Sequence, residues 1–208
     1  VDYKTGKKTF DLAELRYGLG LQMLLYLFAL EQEGGALFGG KEIVPAGVLY
    51  TPAREPMLRC ARNTADETIE KARKKELRRS GMVLEDPAVL EAMEHDALDA
   101  PEYLPIAVKK GGALSGSLAS EGQFAKLAKY VDRVLREIAD EVFAGNINAD
   151  PYARTPQQSA CTYCEFASAC HFENGRGGDH MEYIKATKTD EFWSYIDEVN
   201  GEGGRKNG

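Results

Sequence analysis

The feature that most constrains the fold is a long apolar repeat near the start of the chain. Leucine and aromatic residues recur at three- and four-residue steps between residues 12 and 30, which is the spacing of one face of an α-helix. We therefore predict a helix over residues 10–33, with Asp11 as its N-cap and Gly34-Gly35 as its end. Residues 1–4 are predicted to be the end of a buried strand, and residues 5–8 a turn.

The remainder of the chain favours helices with a few strands, so the predicted class is helix-rich α/β. Strands are expected over residues 43–52 and 103–109, the second followed by a turn at Gly111-Gly112. Helices are expected over residues 64–80, after Asp86-Pro87, and from a capping box at residues 120–123 to about residue 142. Beyond residue 149 the chain is expected to be loop-like, with mobile glycine-rich segments at 174–179 and 200–208.

Composition narrows the class of protein. Hydrophobic residues make up 43% of the chain and charged residues 28%, which excludes collagen-like, mucin-like and wholly disordered chains. The longest apolar run, residues 19–30, is shorter than the roughly 20 residues of a membrane-spanning helix. The chain begins without Met and without an apolar leader, and cysteine is sparse, so we expect a cytoplasmic protein and a fragment of a longer one.

Asp2-Tyr3-Lys4 is the first candidate site. Residues two apart on a strand point to the same face, so the Asp2 carboxylate and the Lys4 ammonium should project together. A carboxylate can bind Mg²⁺, and a neighbouring lysine can orient or help to deprotonate an attacking water. Phosphodiester hydrolysis needs this combination, although a solvated surface pair is the commoner origin of such a tripeptide.

Gln22 and Tyr26 lie one helical turn apart within the apolar repeat. A glutamine in an apolar run needs a hydrogen-bond partner, since leaving it unpaired costs about 1–3 kcal/mol when it is buried. Gln22 could instead cap a neighbouring loop, with Tyr26 as ordinary core. The strand motif and the helix motif together are more specific than either one alone.

Three of the four cysteines crowd into ten residues. Cys161 and Cys164 form a C-x-x-C pair, and Cys170 follows on a short loop. A disulfide, a zinc site completed by His171 or His180, and an iron–sulfur cluster all remain open. Cys60 has no metal-binding spacing around it, and we expect a buried or incidental free thiol.

The formal net charge is −7, which argues against a domain that binds nucleic acid through overall basic charge. One stretch of the chain is nonetheless basic, and its residues are Lys71, Arg73, Lys74, Lys75, Arg78 and Arg79. A solvated helix with i,i+4 ion pairs is the favoured interpretation, and a phosphate-contacting face is the alternative. Lys7-Lys8 and Lys109-Lys110 are similarly undecided.

The motifs V-D-Y-K-T-G and Y-G-L-G-L-Q-M-L-L-Y resemble the second half of the nuclease domain of RecB-like enzymes in the PD-(D/E)XK superfamily, and more closely the AddB-type subunits of bacterial helicase–nucleases. P-A-G-V-L-Y-T-P-A-R, Y-L-P-I-A-V-K-K-G-G and G-N-I-N-A-D-P-Y also resemble AddB segments in the same order. The resemblance covers nearly the whole chain. Gly20 departs from it, since many relatives carry a second glutamine there.

The resemblance implies roles for the motif residues. Asp2 and the Tyr3 carbonyl would bind Mg²⁺, Lys4 would be the catalytic lysine, and Gln22 and Tyr26 would support the site or contact DNA. Cys161, Cys164 and Cys170 would bind a [4Fe–4S] cluster whose fourth cysteine lies upstream.

The implied fold is a partial restriction-endonuclease-like core that lacks its N-terminal half, with a C-terminal cysteine-cluster loop. The implied domains are a partial nuclease domain with helical insertions (1–148), a cysteine-cluster segment (149–199) and a disordered tail (200–208).

The resemblance further implies an ATP-dependent helicase–nuclease that pairs with an AddA-type subunit and hydrolyses single DNA strands, the 5′-ended strand in particular, during double-strand break repair and recombination. No Walker A loop occurs in the chain, so ATP binding is not assigned to it. The isolated chain is expected to be nearly inactive, because the family's first metal-binding acid is absent. The rival interpretation is a non-catalytic, zinc- or cluster-stapled module that binds DNA or a partner subunit.

Overall fold

The computed structural model describes residues 1–6 and 8–201. The helices are α1 (Leu12–Arg16), α2 (Gln22–Glu33), α3 (Asp66–Glu76), α4 (Pro87–Met93), α5 (Glu121–Phe143), α6 (Ala167–Cys170) and α7 (Thr189–Val199). The strands are β1 (Asp2–Lys4), β2 (Gly47–Pro52), β3 (Ser80–Leu84), β4 (Ile106–Val108), β5 (Leu114–Gly116), β6 (Leu118–Ala119), β7 (Tyr152–Thr155), β8 (Gln158–Ser159) and β9 (Glu182–Tyr183). The mixed α/β class is confirmed.

The chain divides into two compact units. The first comprises residues 1–10 and 20–128, and the second comprises residues 11–19 and 129–208. Helix α5 contributes residues to both. The predicted domain boundary at residue 148 is not tested by this division into units and stays a prediction.

The first unit contains a four-stranded sheet in the order β1-β2-β3-β6. β1 runs parallel to β2, β2 antiparallel to β3, and β3 parallel to β6. A separate hairpin joins β4 and β5 through Gly111-Gly112, as predicted. The apolar core around Val83, Leu90, Leu104 and Ile106 lies within this unit and is fully buried.

Close packing of β2 against β3 requires glycine. A Cβ atom on Gly81 would lie 1.9 Å from the carbonyl oxygen of Val48, far inside van der Waals contact. Gly47, at φ +138°, has the same restriction, because its Cβ would lie 2.4 Å from the oxygen of Met82. These two glycines allow β2 and β3 to pack closely against each other.

The second unit contains the three-stranded sheet β8-β7-β9 and the pair of helices α1 and α7. Phe192 and Ile196 of α7 are fully buried. The hydroxyl of Tyr130 donates to the carbonyl oxygens of Leu15 at 2.9 Å and Arg16 at 3.0 Å, and burial raises the pKa of this tyrosine.

The structure corrects several predictions from the sequence. The helix predicted over residues 10–33 is two helices, because Gly18 and Gly20 adopt positive φ between them. Strand β1 is an edge strand rather than a buried one, and Tyr3 is 70% exposed. β3, β5 and β6 were not predicted, and the chain beyond residue 149, which was expected to be loop-like, contains β7, β8, β9, α6 and α7.

The capping predictions are confirmed. Asp11 accepts a hydrogen bond from the Ala13 amide at 2.8 Å, and Asp86 accepts one from Val89 at 3.0 Å. Ser120 and Gln123 form the predicted capping box. Lys7 and residues 202–208, which include most of the predicted mobile tail, lie outside the described residues.

Candidate functional site

The site is built on β1, where alternation places Asp2 and Lys4 on one face. The Lys4 Nζ atom lies 2.8 Å from the Asp2 Oδ2 atom, in a partly exposed ion pair. The hydrogen bond from Lys4 to Asp2 raises the pKa of Lys4, so this side chain is an ammonium. The sequence prediction that these two groups project together is confirmed.

Tyr50 of the neighbouring strand completes one side of the site. In the parallel register Asp2 lies beside Tyr50, and the Lys4 Nζ atom lies 5.9 Å from the centroid of the Tyr50 ring. The Lys8 Nζ atom lies at the same distance from this ring. Tyr50 was not predicted as a site residue. The available signal was the pair Tyr50-Thr51 near the end of the strand predicted over residues 43–52.

Gln22 and Tyr26 lie in the first turns of α2. The Gln22 Nε2 atom donates to the Tyr26 hydroxyl at 2.9 Å, so the partner that Gln22 needs is the other residue of the motif. Both side chains are exposed, whereas Met23 and Leu24 between them are buried. Tyr26 is one of the groups that raise the pKa of Lys4, so it lies within electrostatic reach of the ammonium. Asp2, Lys4 and Tyr26 are therefore brought together, with Gln22 attached through Tyr26.

PD-(D/E)XK nucleases typically use a divalent metal. Asp2 offers one carboxylate, and Tyr3 offers a backbone carbonyl on the same strand, and both are oxygen donors of the kind that Mg²⁺ prefers. Within residues 1–6 and 8–201, however, no three His, Cys, Asp or Glu side chains form a group that could hold a metal ion. The donors present therefore supply only part of a metal site.

A small cavity of about 110 Å³ opens beside Lys4. Its lining includes Thr51 and Pro52 from the end of β2, Arg54 from the following loop, and Lys75 from α3. Arg78 also lines it and donates to the carbonyl oxygens of Leu104, at 2.9 Å, and Ile106.

The residues of the basic stretch around α3 have two kinds of surroundings: some form ion pairs, and others line a cavity. Lys71 forms the predicted kind of i,i+4 pair, with Glu67 at 2.6 Å. Arg73 and Lys74 pair instead with residues distant in sequence, Glu55 at 3.2 Å and Glu102 at 2.5 Å. Lys75 and Arg78 line the cavity beside Lys4, and contact with phosphate stays a prediction.

The cysteines form no ligand group in the part of the chain that the structure describes. Cys161 and Cys164 are half-buried, Cys170 is exposed, and all are free thiols. The amide of Cys164 donates to the carbonyl of Cys161 at 3.3 Å, which gives a turn across the C-x-x-C pair. His171 and His180 do not complete a metal-binding group with them. Cys60 is an exposed free thiol.

A second cavity, of about 830 Å³, lies in the second unit. It is lined by side chains of α1, α5 and α7, among them Arg16, Tyr130 and Tyr195, and by none of the residues predicted as catalytic or metal-binding. The lining of this cleft holds no acid–lysine pair. No helix of the described residues combines the length and the apolar character needed to cross a membrane.

Comparison with known proteins gives a consistent result. The model of the PD-(D/E)XK nuclease superfamily matches residues 1–171. The chain is 34% identical over 200 residues to the B subunit of the ATP-dependent helicase/deoxyribonuclease of Clostridium kluyveri, and 35% identical over 198 residues to that of Acetivibrio thermocellus. It is 32% identical over 206 residues to the corresponding protein of a Thermoanaerobacter species.

These alignments cover 95%, 94% and 98% of this chain, but only 17%, 17% and 18% of the relatives. The chain thus spans less than a fifth of the length of the curated relatives that it matches. The family match extends from the Asp2–Lys4 strand through α2 to the cysteine segment. This chain belongs to the PD-(D/E)XK nuclease superfamily and is homologous to the C-terminal region of the helicase/deoxyribonuclease B subunits.

Proposed function

We propose that this chain is the nuclease region of an AddB-type subunit, which hydrolyses DNA exonucleolytically with Mg²⁺ during double-strand break repair and recombination. The observation that carries the proposal is the Lys4–Asp2 pair at 2.8 Å, with Tyr26 within electrostatic reach of Lys4. By likeness to the relatives, we propose an AddA-type helicase–nuclease subunit as partner, the 5′-ended strand as substrate, and the cytoplasm as location.

The reaction adds water to phosphorus and breaks one phosphorus–oxygen bond of the backbone. The water loses a proton as it attacks, and the departing sugar oxygen gains one. Lys4, as an ammonium, can donate hydrogen bonds to a phosphate oxygen and so stabilise the charge that develops there. Tyr26, held by Gln22, can orient Lys4 or contact the strand. Asp2 would hold Mg²⁺ through its carboxylate and Tyr3 through its carbonyl. A bound ion would supply Lewis-acid polarisation of the phosphate.

We also propose that Cys161, Cys164 and Cys170 bind a [4Fe–4S] cluster with a fourth cysteine from outside this chain. Thiolates are the usual ligands of such clusters, and the three free cysteines lie close in sequence.

Lys4→Ala tests the nuclease role in the whole subunit purified with its partner. We expect release of nucleotides from end-labelled duplex, with ATP and Mg²⁺, to fall about 100-fold or more, because a stabiliser of developing charge is lost. Strand separation, followed by fluorescence, should be unchanged. Lys71→Ala is the matched control, since Lys71 is exposed and pairs with Glu67. Hydrolysis by Lys4→Ala at the wild-type rate would contradict the proposal.

The 208-residue chain alone should hydrolyse single-stranded DNA only near background. The reason is that Asp2 is the one carboxylate paired with Lys4 among the described residues. Strong Mg²⁺-dependent degradation by this chain, abolished by Lys4→Ala, would contradict this expectation while supporting the catalytic role of Lys4.

A further inference from the structure

We propose that the cavity beside Lys4 is a phosphate pocket, which takes a phosphate group of the DNA strand other than the one being cleaved. The inference rests on the proposed nuclease function and deepens it, because it assigns a strand-binding subsite to residues outside the acid–lysine motif. Three features of the cavity support it: its charge, a lysine that forms no ion pair with any described residue, and its size.

The charge of the cavity opposes that of the chain. Among the described residues, five cationic side chains line it, those of Lys4, Lys8, Arg54, Lys75 and Arg78, against one acidic side chain, Glu76. The chain as a whole carries a net charge of −7. Such a local concentration of positive charge in an acidic protein favours an anionic ligand at this place.

Two of the cations are held in position by the protein. Arg78 donates to the carbonyl oxygens of Leu104 and Ile106, which fixes the plane of its guanidinium. Arg54 contacts Glu76 at 3.3 Å and is one-third exposed. A guanidinium has five N–H donors, so both arginines keep donors for a ligand. Preorganised donors bind an oxyanion without the cost of ordering them first.

Lys75 is the cation available for the ligand. It is exposed and forms no ion pair with any described residue, although Lys71 and Lys74 of the same helix each have an acidic partner. Its side chain lines the cavity. Pairing with a phosphate would give it the counter-charge that its neighbours already have.

The size of the cavity limits which part of a DNA strand can enter it. Its volume of about 110 Å³ is well below the roughly 300–1,000 Å³ of pockets for drug-sized ligands. A phosphate group is small enough to enter, whereas a complete nucleoside is not. The phosphate can come from the strand interior, as a phosphodiester, or from a strand end, as a terminal phosphate.

Binding measured without metal separates this inference from the nuclease reaction. We would titrate the whole subunit, purified with its partner and without ATP, against fluorescent oligothymidylate in EDTA at low salt, with and without a 5′-phosphate. Lys75→Ala should weaken binding about three- to tenfold and reduce the slope of log K against log salt by about 0.7, as expected for one lost contact to a single strand.

Lys71→Ala is the matched control, because it removes the same charge from the same helix one turn away from the cavity. Equal loss with both oligonucleotides in Lys75→Ala identifies a backbone phosphate as the ligand. Loss confined to the 5′-phosphorylated oligonucleotide identifies a terminal phosphate. The inference is overturned if Lys75→Ala and Lys71→Ala weaken binding equally, or if the wild-type subunit does not bind. Either result would leave the hydrolysis test of Lys4→Ala unaffected.

Discussion

The site around Lys4 and the cysteine segment of residues 161–170 differ in what holds their side chains in place. Asp2 and Lys4 are fixed by strand pairing, because β1 is hydrogen-bonded in parallel to β2. Gln22 and Tyr26 are fixed by α2, whose intervening residues Met23 and Leu24 are buried. The geometry of this site therefore follows from the sheet and the helix themselves.

The cysteine segment has no comparable support in the described residues. Its short helix α6 has no buried residue, and Tyr163 beside the first cysteine pair is 95% exposed. The backbone is held by local bonds, such as that from the Cys170 amide to the Phe166 carbonyl at 2.9 Å. The proposed cluster would add order to this loop, because its binding free energy would then be folding free energy.

The largest expected effect is on metal content, and it tests this contrast directly. In the whole subunit, purified without oxygen, Cys161→Ser should remove the bound iron, because it takes away one thiolate of the proposed cluster. Iron and zinc would be measured by elemental analysis, with brown visible absorbance as a second readout. Cys60→Ser is the control and should keep the iron.

Two results would contradict the proposed iron–sulfur cluster in the cysteine segment. Zinc instead of iron, lost in Cys161→Ser, would favour the stapled binding module over the iron–sulfur proposal. Unchanged metal content in Cys161→Ser would contradict any ligand role for this residue.

The next largest effect is on the sheet that supports the site. Gly81→Ala should lower the free energy of unfolding by about 2–3 kcal/mol, because the new Cβ would lie 1.9 Å from the Val48 oxygen and overpack the β2–β3 pair. Urea unfolding would measure the loss, and hydrogen exchange would show faster exchange in peptides of β2 and β3. Gly122→Ala in α5 is the control, since its Cβ meets no atom closer than 4.0 Å. If both variants are equally stable, the sheet tolerates more change than its geometry indicates.

Local chemistry explains which parts of the fold could be predicted. Caps depend on residues within three positions of one another, so Asp11, Asp86 and the Ser120–Gln123 box were readable from the sequence. The break between α1 and α2 was missed because the apolar repeat continues across Gly18 and Gly20. Periodicity alone does not register the positive φ of those glycines.

Long-range register explains the parts that could not be predicted. β3 was missed because its five residues lie between a charged helix and Asp86-Pro87, with too few positions to show alternation. Tyr50 and Thr51 belong to the surroundings of Lys4 only because β1 pairs with β2 in one particular register. Nothing in the sequence near Lys4 specifies that register.

The smallest expected effect is on the pH dependence of stability, and it arises from His180, near the cysteine segment. The His180 Nε2 atom lies 2.7 Å from Glu182, and the Nδ1 atom 2.8 Å from Asp150. The hydrogen bond with Glu182, then that with the Gly178 carbonyl and the charge of Asp150, raises the pKa of His180 above its ordinary value of 6.5. A raised pKa in the folded state stabilises the fold below the unfolded pKa, and this contribution disappears as pH rises through the folded value.

His180→Gln should therefore be less stable than the wild type at about pH 5.5, and the difference should shrink as pH rises above about 6.5. The single tryptophan, Trp193, lies in α7 of the second unit, so its fluorescence during urea unfolding would follow the unit that contains His180. His95→Gln is the control, because His95 is highly exposed and solvent screens its one ion pair, with the adjacent Asp96. A stability difference that stays constant or grows with pH would mean that the carboxylates of Asp150 and Glu182 do not hold a protonated His180.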